Sequence, residues 1–332
     1  MQECKIKYPL KFRPIFKKTM WGSECWAVSA IKGFESVVDG GVLNGRSLIE
    51  IMDFYGEALL GRKNVRRFGK EFPLLVKFID AVSDLSVQVH PNDILSMERH
   101  GCNGKTEMWY VVDAKSDAKL LSGFASPVTE EEYKSMSAKQ IVGSLMEYKI
   151  SNGDMFYLPA GTVHSIGAGA FIAEIQQSSD ITYRIYDFDR KDREGNPREL
   201  HTELAADAID FSKRSRCKID YQEMESDSVD VWDHASKAVD CDHFVTSLVD
   251  LNGSASDAET RFIFEYSKLE SFVIITCVGG NAIIGYDGVE SGDCEDYIDI
   301  ASGDAVLLPA DLGSVTFTVK AGSCCKFLET HI

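Results

Sequence analysis

The chain has 332 residues, 44% of them hydrophobic and 10% aromatic, enough to bury one large core or two of ordinary size, which excludes disorder as the main state. Its 35 basic residues face 52 acidic ones for a net charge of −17, which repels a phosphate backbone and excludes nucleic acid as a partner. No stretch reaches the ~20 apolar residues of a membrane span, and the nine cysteines show no CxxC spacing, so the sequence reads as a soluble cytoplasmic protein with reduced thiols.

The first strong signal along the chain is Ser47 with Glu50 three residues on, a capping box that opens a helix from Leu48 to Leu60. The basic cluster Arg62, Lys63, Arg66, Arg67 and Lys70 reads as a solvated loop. Phe72 to Ile79 is an apolar run with a proline at its entry and one basic side chain, Lys77, short enough for a buried strand. Leu85 to His90 alternates as a second strand, and His100 in Arg99-His100-Gly101 reads as a loop residue close to it. Two more capping boxes follow, Thr129 with Glu132 and Ser137 with Gln140. Glu174-Ile175-Gln176-Gln177 and Asp180-Ile181-Thr182-Tyr183-Arg184 read most simply as an edge strand and turn.

After the charged stretch from Arg190 to Arg198, Leu200, Leu204, Ala208 and Phe211 lie on one face of a linking helix spanning 199–211. The second half is mostly β: Phe272 to Val278, a Gly279-Gly280-Asn281 turn, Ala282 to Tyr286, and the alternating Val315 to Val319. An echo ties the halves together. Gly153-Asp154 leads to Leu158-Pro159-Ala160, and 150 residues later Gly303-Asp304 leads to Leu308-Pro309-Ala310. A turn and strand repeated at one internal spacing predict two copies of one β-domain. The expected limits are 1–195 for the first, 196–236 for a helical linker and 237–332 for the second.

Chemistry concentrates in the first copy. Gln88 and His90, two apart on a strand, project to the same side before Pro91 ends the ladder. In the next candidate strand Lys105, Glu107 and Trp109 share a face, and a turn brings the chain to His164. Two imidazoles and a carboxylate with an amide nearby suit a divalent transition metal such as zinc, provided that a β-barrel aims them into one mouth. Arg184 and Lys105 offer a guanidinium and an ammonium to an anionic substrate. His201, His234, His243 and His331 have no polar partner at a ligand-like spacing, and Trp21, Trp26, Trp109 and Trp232 read as core.

Gln88-Val89-His90-Pro91-Asn92-Asp93, Gly104-Lys105-Thr106-Glu107, Pro159-Ala160-Gly161-Thr162-Val163-His164, and Asp180 with Arg184 in Asp-Ile-Thr-Tyr-Arg stand in the order seen in zinc-dependent, cupin-type mannose-6-phosphate isomerases. The chain resembles the shorter bacterial form of that family from Trp21-Gly22 through the second β-domain. The resemblance implies a mainly β fold of two cupin-like (jelly-roll) β-barrel domains with a few peripheral helices. It also implies one zinc held by His90, Glu107 and His164, with Gln88 a ligand in some members. Arg184 matches the family's catalytic arginine, and Lys105, Glu174 and Asp180 match residues lining its pocket. After Leu308-Pro309-Ala310 no histidine stands where His164 does, so the second domain is expected to be a metal-free copy.

The implied reaction is reversible isomerisation of mannose 6-phosphate and fructose 6-phosphate through an enediol. Two rivals share these residues. Two histidines and a carboxylate also compose the facial triad of non-haem iron oxygenases, and a cupin protein could bind sugar phosphate without turning it over.

Overall fold

A computed structural model of the chain describes residues 6–192, 194–212, 216–219, 235–255, 258–286 and 297–332. Cys4, Cys294, Trp232, His234 and residues 220–234 of the expected linker lie outside the described residues. The described chain is mainly β, and no helix in it is long and apolar enough to cross a membrane.

The chain folds as two compact units, one of residues 16–25 and 77–220, the other of 1–15, 26–76 and 221–332. This departs from a first domain running unbroken from 1 to 195. Leu10 pairs with Leu307 and Lys11 with Val306, so the Leu10–Arg13 strand belongs to the C-terminal sheet. The helices of 48–68 follow it there: Leu59 and Leu60 carbonyls accept from Ala310 and Phe272 N–H groups at 3.0 and 3.3 Å, and buried Asn64 donates to Ser271 Oγ at 2.8 Å. A partner more than 200 residues away leaves no trace in local periodicity, which is why the sequence reading missed it.

One sheet, most of it in the unit of 16–25 and 77–220, runs Met155–Leu158, Glu107–Ala114, Ala170–Gln177, Leu74–Ala81, Gly22–Val28 and Ile15–Lys18. A second runs Tyr183–Tyr186, Val87–Val89, His164–Ile166, Lys119–Phe124 and Leu145–Lys149. Trp109, Val111, Phe156 and Ile172 of the first meet Leu120 and Ile166 of the second in one buried cluster, so the sheets pack face to face. The other face of the second sheet, with Val87, Val89 and Ile185, is covered by Tyr133, Ile141 and Ala205 from three helices.

All three capping boxes form, at Ser47, Thr129 and Ser137, each side-chain oxygen accepting from the N–H three residues on. The first helix ends at Tyr55, however, and a new one starts after Gly56, so Leu48 to Leu60 is not continuous. The linking helix spans Thr202–Ala208. Three local readings are corrected. Arg62, Lys63, Arg66 and Arg67 of the basic cluster lie on a helix, Arg62–Phe68, with Lys70 in the turn after it, and His100 ends another helix, Asp93–His100, begun by the Asn92 side chain. Ala170–Gln177 is an interior strand, with buried Glu174, Gln176 and Gln177, rather than an edge.

In the other unit, Val273–Tyr286 is one 14-residue strand, and Gly279-Gly280-Asn281 is no hairpin turn. The register shifts between Cys277 and Gly279, and Gly280 has φ 68°, with a Cβ there falling 1.9 Å from the Cys324 carbonyl oxygen. The glycines therefore make a bulge inside a strand. The repeated turn is real at atomic detail. Gly153 and Gly303 both have positive φ, and the Asp154 and Asp304 carboxylates each accept from the N–H three residues earlier at 3.0 Å. In each copy the glycine N–H and aspartate carbonyl clasp one residue of the neighbouring strand, Val111 or Cys277.

Candidate metal centre

His90 stands one residue beyond the Val87–Val89 strand, and its carbonyl accepts from Gly161 N–H at 2.9 Å, tying that strand end to the turn before His164. Gly161 takes φ 89°, which favours glycine and lets the turn close. His164 opens its own strand directly opposite Gln88, and Arg184 lies opposite Gln88 on the other side. Paired residues in a sheet share a face, so Arg184, Gln88 and His164 form one row. Glu107 opens a strand of the facing sheet, between Leu158 and Gln176.

These placements bring ligand atoms of His90, Glu107 and His164 within 4.8 Å of one another, all buried. Nδ1 of His90 lies 2.9 Å from the Ile181 carbonyl, and Nδ1 of His164 lies 2.8 Å from the Thr162 carbonyl. A carbonyl only accepts, so both Nδ1 atoms carry the proton and both Nε2 atoms turn a lone pair inward. His90 Nε2 is 3.6 Å from Glu107 Oε2, and His164 Nε2 is 3.3 Å from Glu107 Oε1. Neither His90 Nε2 nor either Glu107 oxygen makes a hydrogen bond, although all are shut off from water. Buried polar atoms that converge without hydrogen bonds suit a cation. Gln88 Nε2 is 3.3 Å from His164 Nε2, which puts its amide at the same point.

Burial drives the electrostatics. It lowers His164 to about 4 and His90 well below the usual imidazole range, and it pushes Glu107 up to about 8, with Lys105 pulling the other way. Neutral imidazoles are ready to coordinate, while the carboxyl holds a proton that a cation would displace. Lys105 Nζ is 3.4 Å from Glu107 Oε2.

The other expected site residues are placed differently from one another. Glu174 is buried, with Lys77 Nζ at 2.8 Å from one oxygen and Trp109 Nε1 donating to the other at 2.9 Å. Although burial opposes it, the Lys77 and Lys105 charges hold Glu174 down to about 2. Asp180 is exposed, 3.6 Å from Lys17. Arg184 donates from Nη1 to the Glu199 carbonyl at 3.0 Å. The sequence reading passed over Lys77, whose signal was a lone ammonium in an apolar run, and it kept Trp109 as core, although the indole meets the His164 ring edge-on at 5.3 Å.

Residues 11–113 match a family model described as phosphomannose isomerase type I, catalytic domain. The mannose-6-phosphate isomerase ManA of Bacillus subtilis (strain 168) is 34% identical over 323 residues, covering 92% of this chain and 94% of the relative. The crystal structure of the mannose 6-phosphate isomerase from Bacillus subtilis matches with a TM-score of 0.80 at 30% identity, covering 98% of this chain and 100% of that one. A mannose 6-phosphate isomerase bound with zinc and yttrium shares the fold, with a TM-score of 0.70 at 16% identity over 97% of this chain and 99% of that one.

Proposed function

The chain belongs to the mannose-6-phosphate isomerase family, and we propose that it interconverts mannose 6-phosphate and fructose 6-phosphate at the His90–Glu107–His164 centre. The observation that carries this reading is the set of buried, converging atoms without a hydrogen bond: His90 Nε2 and both Glu107 oxygens.

His90, Glu107 and His164 would hold one zinc per chain, and Gln88, whose amide nitrogen faces His164 Nε2 at 3.3 Å, would join them only through its amide oxygen. Bound there, zinc supplies Lewis-acid polarisation of the sugar oxygens and stabilises charge on the enediolate. Lys105, whose Nζ lies 3.4 Å from Glu107 Oε2, would donate to the oxygen on which charge develops. Arg184, in the row of Gln88 and His164, presents a cation along the same face and holds the anionic substrate. Glu174 has both oxygens engaged, so its role is to position Trp109 and Lys77. Asp180, exposed and 3.6 Å from Lys17, would meet the substrate only from the solvent side.

The wider architecture we infer is a pair of cupin-like jelly-roll domains, the first active and the second free of metal. Glu107 pairs with Leu158, and Val273 pairs with Leu308 at the same distance past the repeated turn. The 150-residue offset likewise places Ser314 where His164 stands. An apolar residue and a hydroxyl thus replace two ligands. The relatives' activity favours neither an iron oxygenase nor a binding-only protein.

A coupled isomerase assay on metal-stripped protein tests the assignment. Turnover should vanish on chelation and return with zinc, and Arg184→Ala should lower kcat by orders of magnitude. Turnover indifferent to chelation would remove the metal from the reaction, and oxygen uptake with ferrous iron would favour the oxygenase.

A further inference from the structure

Among the described residues, the strand Tyr183–Tyr186 is the outermost of its sheet, flanked only by Val87–Val89. Backbone groups on such an outer edge need partners from outside the ladder. At Arg184 a single residue meets both needs: His201 N–H donates to the Arg184 carbonyl at 2.7 Å, and Arg184 N–H donates to His201 Nδ1 at 3.1 Å. Two residues earlier, the Glu199 carbonyl accepts from Arg184 Nη1 at 3.0 Å. Residues 199–201 therefore fix Arg184 at its N–H, its C=O and its guanidinium.

The helix that follows shows what this arrangement forgoes. His201 is the N-cap of Thr202–Ala208 yet makes no side-chain cap bond. Serine, aspartate, asparagine or threonine normally fills that place and satisfies a free N–H of the first turn. Here the ring turns back to the strand instead. On its other side it meets Tyr183 at 6.3 Å between centroids, and the Tyr183 hydroxyl lies 2.8 Å from His100 Nε2.

We propose that His201 is a positioning residue for Arg184, holding the edge strand so that the guanidinium faces the sugar-phosphate site. The inference rests on the reading that Arg184 acts on the substrate. A residue serving only the helix would be improved by a better cap, whereas a residue serving Arg184 would not.

The test compares His201→Ser, His201→Asn and Arg184→Ala in the zinc-loaded full chain. Readouts are kcat and KM for mannose 6-phosphate, the melting temperature, and hydrogen exchange of the Arg184 amide. Serine caps the helix but is too short to reach Arg184, while asparagine places an acceptor oxygen near the position of Nδ1. His201→Ser is expected to keep or raise the melting temperature, lose protection of the Arg184 amide, and lower kcat roughly ten- to a hundred-fold, the scale of a small misplacement of a catalytic group. His201→Asn is expected to retain most of both. The inference is overturned if His201→Ser turns over within about twofold of the parent while Arg184→Ala is inactive, or if amide protection is unchanged. Full activity in Arg184→Ala would instead overturn the role given to Arg184, and the positioning role with it.

Discussion

Lys77 Nζ lies 2.8 Å from Glu174 Oε2 with both side chains 4% exposed, so a complete charge pair is closed off from water beside the candidate metal centre. Its remaining carboxylate oxygen accepts from Trp109, whose ring edge meets His164. A buried pair contributes little net stability when whole but is costly to halve, because the survivor is left charged in an apolar setting. Lys77→Met is expected to cost about 3–5 kcal/mol by this argument, and Lys77→Met with Glu174→Gln is expected to recover most of it. Urea unfolding decides the matter: equal midpoints for Lys77→Met and the parent would show that Glu174 does not carry an uncompensated charge.

Metal uptake is expected to release a proton. His90 and His164 are held neutral by burial at pH 7, whereas Glu107, raised to about 8, still carries its proton there. Zinc affinity should therefore climb with pH up to about 8 and level off above it. Titration calorimetry at pH 7 in phosphate and in Tris, which differ in ionisation heat, should report close to one proton per zinc. Identical heats in the two buffers would take Glu107 out of the ligand set.

Chelation should lower the melting temperature without unfolding the chain at room temperature. A ligand that binds only the native state at a thousand times its Kd contributes about 4 kcal/mol. His164→Ala is expected to melt near the stripped protein and to gain little from added zinc. A full zinc-dependent rise in that variant would place the ion elsewhere.

The C-terminal unit should lose stability between mildly acidic and neutral pH. Burial raises Glu329 to about 7 against an ordinary 4.5, partly offset by a 2.7 Å hydrogen bond from the Tyr266 hydroxyl. Below 4.5 the folded and unfolded chains both hold this proton. As pH rises through 7, folding must strip a carboxyl that prefers to stay neutral, at a cost of roughly 3 kcal/mol. Glu329→Gln should flatten that slope, and an unchanged slope would assign it to other groups.

Much of this was legible in the sequence because it is local. Three capping boxes needed only residues three apart, and the same-side projection of Gln88 and His90 needed only the period of a strand. The convergence of His90, Glu107 and His164 could be anticipated because each stands at a strand end of one sheet pair. What was not legible is set by distant partners. Nothing near Leu10 announces Leu307, and nothing near Glu174 announces that Lys77 will neutralise it. The glycine pair at 279–280 was misread because a bulge and a turn can each demand a positive φ of one glycine, here Gly280.

The twin turns at Gly153 and Gly303 carry one further implication. In the C-terminal copy the backbone clasp is intact although Val273 occupies the position that Glu107 holds in the other, and that strand's Ile275 and Cys277 pack with Phe264, Phe317 and Phe327 in an apolar interior. In that copy the turn and its neighbouring strand are held by hydrophobic packing and the backbone clasp with no carboxylate at the matching position, so an ion at Glu107 would be a tenant of this motif rather than its keystone. Ligand chemistry can be lost from such a frame, or installed in it, without redrawing the chain path.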